Sequence, residues 1–237
     1  MHTKEQGCES CPERSEGIFA DLKPEELALI SRCKTTNRYK KKQVIFYEGN
    51  IPYGVHCVRK GKLKLYRTSS QGKEQVVRLV QEGEAMGFKS LLTSDKYSLT
   101  AEVLEDAEIC FLDKSAFFEL LDHSPKLARN MLETVCHEVR SQENTICSYS
   151  QKSVRERVAE TLLILAEKYG QKNSDGTIEI RTLLKREDIA TLAGTVLESA
   201  VRYLSEFKND GYIDLLGKEI KILEPAKLLA ITQSQMA

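Results

Sequence analysis

One stretch constrains this chain more than any other. From Ser124-Pro125 to Ser153, the residues Leu132, Val135, Val139, Gln142, Ile146, Tyr149 and Ser153 recur in alternating steps of three and four. That is a heptad seam, mostly apolar, with Gln142 set inside it. A helix of about 28 residues runs roughly 40 Å, more than one small domain can bury. Two arrangements satisfy such a seam: a self-pairing coiled coil, or a helix lying along its own domain. The length favours the coiled coil, where Gln142 would set the register at some cost in stability.

On either side of this helix the pattern differs. Residues 1–17 are polar, without apolar periodicity, and read as a mobile arm carrying Cys8-Glu9-Ser10-Cys11. A helix start follows at Asp21 to Pro24, with Glu25 and Glu26 in its first turn and Leu27 and Ile30 on its apolar stripe. From Tyr39 to Leu112 short strand-like runs are broken by glycines, among them Val44–Tyr47, Val55–Val58, Lys62–Tyr66, Gln75–Val80, Leu99–Val103 and Glu108–Leu112. Short strands at near-regular spacing predict an antiparallel sandwich or barrel. After the long helix, Val158, Leu162, Leu165 and Ala166 mark a further amphipathic helix, and Gly170 to Thr177 reads as a polar loop. The expected class is α+β, divided into 1–17, 18–123, 124–152 and 153–237.

The last division holds a second informative stretch, Lys185 to Leu223. Glu187 and Asp188 suit a helix N-terminus, where negative side chains meet the dipole, and Ile189 and Leu192 are apolar. Gly194 follows, then a second helical segment from Val196 to Lys208 with Val196, Ala200, Leu204 and Phe207 as its stripe. Two short helices joined at a glycine are the helix-turn-helix pattern, whose second helix enters the DNA major groove. An ordinary αα-hairpin with a solvated polar face fits the spacing equally well. Glu198, Ser199 and Arg202 fall opposite much of the stripe. Arginine can read guanine bidentately, glutamate can accept from cytosine N4, and serine can bond base or phosphate. Gly211–Leu216 and Glu219–Leu223, turning at Gly217-Lys218, read as a β-hairpin wing.

Composition bounds the rest. Lys+Arg and Asp+Glu both count 35, so DNA binding must rest on local charge such as Arg186, Arg202, Lys208 and Lys218. No run approaches 18 apolar residues, and Met1 to Ser15 is too polar for a signal peptide, which together imply a cytoplasmic protein without a membrane partner. Seven cysteines in such a chain do not predict a disulfide framework. No P-loop, G-x-S-x-G or zinc-hydrolase motif is present, so no enzyme class is supported.

The motif Arg186-Glu187-Asp188-Ile189, then Gly194, then Glu198-Ser199-Ala200-Val201-Arg202 resembles the DNA-binding domain of the Crp/Fnr superfamily of bacterial transcription regulators. The match continues through the Gly211 turn and the Gly217-Lys218 wing. The Gly49, Gly61, Gly72 and Gly83 turns are similar to those of the superfamily's β-roll, and the resemblance spans Ile18 to Leu229. It implies an N-terminal β-roll of cyclic-nucleotide-binding type, a long dimerisation helix and a C-terminal winged helix-turn-helix. It further implies a homodimer bound to double-stranded DNA, with RNA polymerase as a further partner. Glu198, Ser199, Arg202, Arg186 and Lys218 become the DNA-contacting residues, and Leu132, Val135, Val139, Gln142, Ile146 and Tyr149 the dimer interface. Leu197 stands where some relatives place an arginine, so their half-site is not transferable. A protein-binding module controlled by a ligand is the rival, supported by the balanced charge.

The input to the β-roll has several readings. Cyclic-AMP-binding members hold the ribose with a Gly-Glu pair and the phosphate with Arg-Ser/Thr. Here Lys89 replaces the ribose-binding acid in Gly83–Lys89, and Tyr97–Ala101 contains no arginine. Both departures argue against cyclic AMP. Gly87-Phe88 resembles the Fnr branch, whose sensor binds an iron–sulfur cluster through Cys-x2-Cys-x5-Cys and a distant cysteine. Cys8, Cys11 and Cys110 match three of those positions, making them candidate metal ligands, while Gly17 occupies the fourth. A thiol switch or zinc at Cys8 and Cys11 is the simpler alternative. The third reading is a different small ligand in the roll, or none: the superfamily resemblance allows haem, and His56, His123 and His137 are present but form no evident ligand set.

Overall fold

The computed structural model describes residues 7–13, 17–180, 184–217 and 219–233. Two compact units emerge, Met1–Arg67 with Val77–Arg140, and Thr68–Val76 with Ser141–Ala237.

The first unit opens, among described residues, with a short 3-10 turn at Cys8–Ser10. A mobile arm was expected here, yet the Cys8 amide donates to Ser31 Oγ at 2.7 Å, tying the turn to the helix α1 (Pro24–Cys33). Pro24 suits the first turn because its missing amide has no intrahelical partner to lose, and Glu26 accepts from the Lys23 amide at 2.6 Å. The strands are β1 (Thr35–Tyr39), β2 (Val44–Phe46), β3 (Gly54–Lys60), β4 (Leu63–Thr68), β5 (Glu74–Val80) and β6 (Ala85–Met86). The short helix α2 (Phe88–Thr93) precedes β7 (Thr100–Val103) and β8 (Ala107–Asp113), and α3 (Lys114–His123) leads into α4 (Pro125–Gln151). They form two four-stranded sheets ordered β1-β8-β3-β6 and β2-β7-β4-β5, the antiparallel roll expected from the glycine-broken runs.

Strand alternation sorts residues into two cores. Val58 and Ile109 join Phe46, Leu63, Leu65, Val80, Tyr97 and Val103 in one. Val55 and Leu112 instead meet Ile18, Leu27, Ile30, Phe88, Phe117, Leu120, Leu127 and Met131 in the other, against the helices. Asn130 of α4 anchors this second layer by donating to the carbonyls of Ile18 and Ala20 at 3.1 and 2.8 Å.

The α4 helix has 27 residues, close to the length read from the seam. Leu127 and Met131 are buried in the first unit, but every residue from 139 to 147 is exposed. In the second unit α5 (Val154–Tyr169) starts with a reciprocal capping box. The Glu156 carboxylate accepts the Ser153 amide at 2.7 Å, and Ser153 Oγ accepts the Glu156 amide at 3.4 Å. Then come β9 (Gly170–Lys172), β10 (Ile178–Ile180), α6 (Arg186–Leu192), α7 (Leu197–Asn209), β11 (Ile213–Leu216), β12 (Glu219–Ile222) and α8 (Pro225–Thr232). The segment expected as a polar loop opens with β9, and β10 follows directly after it, both in a sheet ordered β11-β12-β10-β9. With three residues each, β9 and β10 are too short to show a period of two. Val158, Leu162, Leu165, Ile189, Leu204, Phe207, Ile220, Ile222 and Leu228 are buried in this unit.

Candidate functional site

The second unit presents α6 and α7 joined through Gly194. Asp188 accepts the Lys185 amide at 2.8 Å and so starts α6, as the acidic first turn implied. Gly194 has φ of +60°, and a Cβ there would lie 2.8 Å from the Tyr149 ring. Backbone conformation and close approach therefore both require glycine. Tyr149 is not simply a seam residue: its hydroxyl donates to Leu192 O at 3.2 Å. Arg157 braces the same turn by donating to the carbonyls of Ala193 (3.0 Å), Gly194 (3.2 Å) and Tyr149 (3.0 Å). These bonds satisfy carbonyls at the end of α6 and its turn, and they hold the entry to α7 in one orientation.

Ala200, Leu204 and Phe207 of α7 are buried, as their spacing predicted, whereas Val196 is exposed. Val196 is the N-cap, and its extended backbone takes it off the helical face. On the outer face Glu198 and Arg202 are exposed and Ser199 is partly so. The Arg202 guanidinium rests on Tyr203, donating to its hydroxyl at 3.0 Å.

Other basic residues named from the sequence are engaged. Arg186 is half-buried and donates to Gly217 O at 3.1 Å, linking α6 to the turn between β11 and β12, and burial lowers its pKa. Lys208 pairs with Asp214 at 2.9 Å. Lys218 lies outside the described residues. Arg155 pairs with Glu206 at 2.6 Å and sits over the Phe207 ring.

In the first unit the region compared with a cyclic-nucleotide site is crossed by ion pairs. Arg78 contacts Glu84 at 2.5 Å and also the Glu138 carboxylate of α4, to which Lys89 pairs as well. One protein carboxylate thus sits between two cations, and an anion entering there would have to displace it. Elsewhere in the roll, His56 lies between Phe46 and Phe111, with ring centroids 5.4 and 4.9 Å away. Its Nδ1 is buried without a hydrogen-bond partner, and burial lowers its pKa to about 4.

Four of the seven cysteines converge in space. Cys8, Cys11, Cys57 and Cys110 line one cavity, together with Lys34 and Gly83. Lys34 Nζ approaches Cys110 Sγ at 3.9 Å, and Thr36 Oγ1 is 3.6 Å from the same sulfur. Burial raises the Cys8 thiol pKa against the opposing effects of Lys34 and Ser31, and pushes Cys57 up further. Cys33 packs against the neighbouring core, while Cys136 and Cys147 are exposed on α4.

Two family models match this chain: a cyclic nucleotide-binding domain over residues 36–124, and a Crp-like helix-turn-helix domain over residues 156–231. The chain belongs to the Crp/Fnr superfamily of transcription regulators. Among its Crp/Fnr relatives, the transcriptional activator protein anr of Pseudomonas aeruginosa is 27% identical over 83% of this chain and 80% of its own length. The cyclic AMP receptor protein of Thermus thermophilus is 28% identical, covering 89% of this chain and 94% of that protein. In three dimensions FixK2 from Bradyrhizobium japonicum superposes with a TM-score of 0.74 at 23% identity, over 84% of this chain and 96% of that one. This Crp/Fnr protein is accordingly a DNA-binding regulator of transcription with a winged helix-turn-helix. No described helix is long and apolar enough to cross a membrane. Sequence reading did not find Arg157, Glu138 or Cys57. Arg157 and Glu138 act through contacts distant in sequence, and only the register of β3 against β8 reveals Cys57.

Proposed function

We propose that this regulator works in the cytoplasm as a homodimer on two-fold-related DNA sites, with α4 as the pairing helix and α7 as the reading helix. The observation that carries the reading is the α7 outer face, where Glu198, Ser199 and Arg202 stand clear of the buried Ala200, Leu204 and Phe207. Arg202 is held only by its neighbour Tyr203 among the interactions described for it, so it can turn to a base edge at small cost. Exposed Leu132, Val139 and Ile146, with Gln142 among them, form the seam for a second copy, while Val135 partly packs on its own unit. Two such units would read half-sites about 34–36 Å apart. RNA polymerase is the expected partner of the DNA-bound form.

The test is a binding-site selection at two salt concentrations, repeated with Arg202→Ala. Wild-type affinity is expected to fall steeply with salt, as phosphate contacts require. The variant is expected to lose about 1–3 kcal/mol of discrimination at one base pair of each half-site. An unchanged sequence preference would refute the role of Arg202. Salt-independent binding would favour the protein-interaction module.

A second reading concerns the signal, and the convergence of Cys8, Cys11, Cys57 and Cys110 on one cavity favours it. The donor set is all thiol, the usual ligation of iron–sulfur clusters. Among the described residues no three His, Cys, Asp or Glu side chains are grouped to hold a metal ion. When bound, such a cluster would supply a redox centre that reacts with oxygen. This chain's residues would hold it between the Cys8 turn and the β3–β8 pair, and shield it with Phe19, Ile30 and Leu112.

A further inference from the structure

The redox reading starts one ligand short, because Gly17 stands where the Fnr-type spacing has its third N-terminal cysteine. The structure shows why position 17 cannot supply it. A Cβ on Gly17 would lie 2.0 Å from the Gly83 carbonyl oxygen, closer than any side chain can sit. That same carbonyl is approached by Cys57, whose Sγ lies 4.0 Å away. A thiol from the sheet therefore occupies the neighbourhood that the N-terminal segment cannot fill.

The register explains how Cys57 comes to be there. Cys57 of β3 is the direct partner of Cys110 on β8, and Val55 is the partner of Leu112. Since Val55 and Leu112 share the core under the helices, alternation turns Cys57 and Cys110 to that face as well. The Cys8 turn is bound to Ser31 of α1 over the same face. Two thiols come from a short turn and two from rigid strands, with the Lys34 ammonium beside Cys110. A cation there offsets part of the negative charge of four thiolates.

We propose that Cys57 is the fourth thiolate ligand of an iron–sulfur cluster held with Cys8, Cys11 and Cys110, replacing the cysteine that position 17 has no room for. This rests on the redox reading above and adds to it the ligand that completes the set. Each thiol gives up one proton on ligation, so loading releases protons.

The test uses the full chain, reconstituted without oxygen with ferrous iron and sulfide, and compares wild type with Cys57→Ser, Cys57→Ala, Cys110→Ser and Cys33→Ser. Iron, sulfide, visible absorption and thermal unfolding are read on each. Wild type and Cys33→Ser are expected to hold iron and sulfide in equal amounts. Both Cys57 variants and Cys110→Ser are expected to lose about tenfold or more of that content while still unfolding cooperatively. Cys57→Ala is the second variant, because alanine is tolerated in a half-buried apolar setting where serine can disturb folding. Full loading of a folded Cys57 variant, with Cys110→Ser empty, would overturn the role of Cys57 and leave the cluster standing. A wild type that takes up neither iron nor sulfide, or binds a single zinc ion instead, would overturn the redox reading and this assignment together.

Discussion

Glu138 is the most informative single residue to change in the first unit. Its carboxylate, 16% exposed, faces Arg78 at 20% and Lys89 at 47%. In Glu138→Gln the shape and one acceptor remain, but the charge between the two cations is gone. The contact with mostly buried Arg78 is a charge-assisted bond, and losing its charge is expected to cost about 1.5 kcal/mol. The contact with half-exposed Lys89 adds only about 0.5 kcal/mol, because solvent screens it. A total near 2 kcal/mol lowers Tm by roughly 5–7 °C for a unit of this size. Circular dichroism melts at low salt measure it directly. In Glu138→Ala the two cations face a gap, so sulfate is expected to raise Tm more in the variant than in wild type. A shift below about 1 °C, or equal sulfate effects in both proteins, would refute the view that this carboxylate holds the cations in a ligand's stead.

Three further outcomes follow from the geometry. His56 is neutral when folded, with its pKa lowered to about 4, so its contribution is intact above the unfolded value near 6.5 and is lost as pH falls towards 4. Between pH 7 and pH 5 that loss is about 2 kcal/mol, and a smaller drop in urea midpoint for His56→Leu than for wild type checks it. Gly194→Ala is expected to cost about 1–2 kcal/mol from its positive φ and more from the Tyr149 ring. Adding Tyr149→Ala should restore only the second part, measured by melting and by DNA affinity. Ile146→Lys places a charge in the seam and is expected to shift sedimentation from dimer to monomer at micromolar concentration. A persistent dimer would move the pairing surface away from α4.

Much of the architecture was legible in local pattern. Pro125 and the three-four spacing located α4, and the strand runs from Val44 to Leu112 fall on β2, β3, β4, β5, β7 and β8. Glycine at position 194 marked the turn because no other residue takes that conformation cheaply. The brief strands β6, β9 and β10 were missed, having little room for a period to declare itself, and β1 has no buried residue and no apolar alternation to mark it. Val196 was assigned to the core because an N-cap looks like a helical position until the dihedrals are known. Arg186, expected to contact DNA, proved to be engaged by the Gly217 carbonyl, and Arg155 and Arg157 are likewise held by groups distant in sequence. The cysteine set illustrates the limit best. Cys8 and Cys11 advertise themselves by spacing, while Cys57 acquires significance only when strand pairing sets it opposite Cys110.

The water-exposed middle of α4 has a consequence for how such a regulator is governed. Every residue from 139 to 147 is exposed. A segment of that length has little helical stability in water by itself. If its persistence comes from a second copy, then association and the ordering of this segment are one equilibrium, and the number of copies per cell decides both. Abundance then becomes an input in its own right. Halving the supply would do more than halve the occupied sites, because the lone chains would also lose the order of this helical segment.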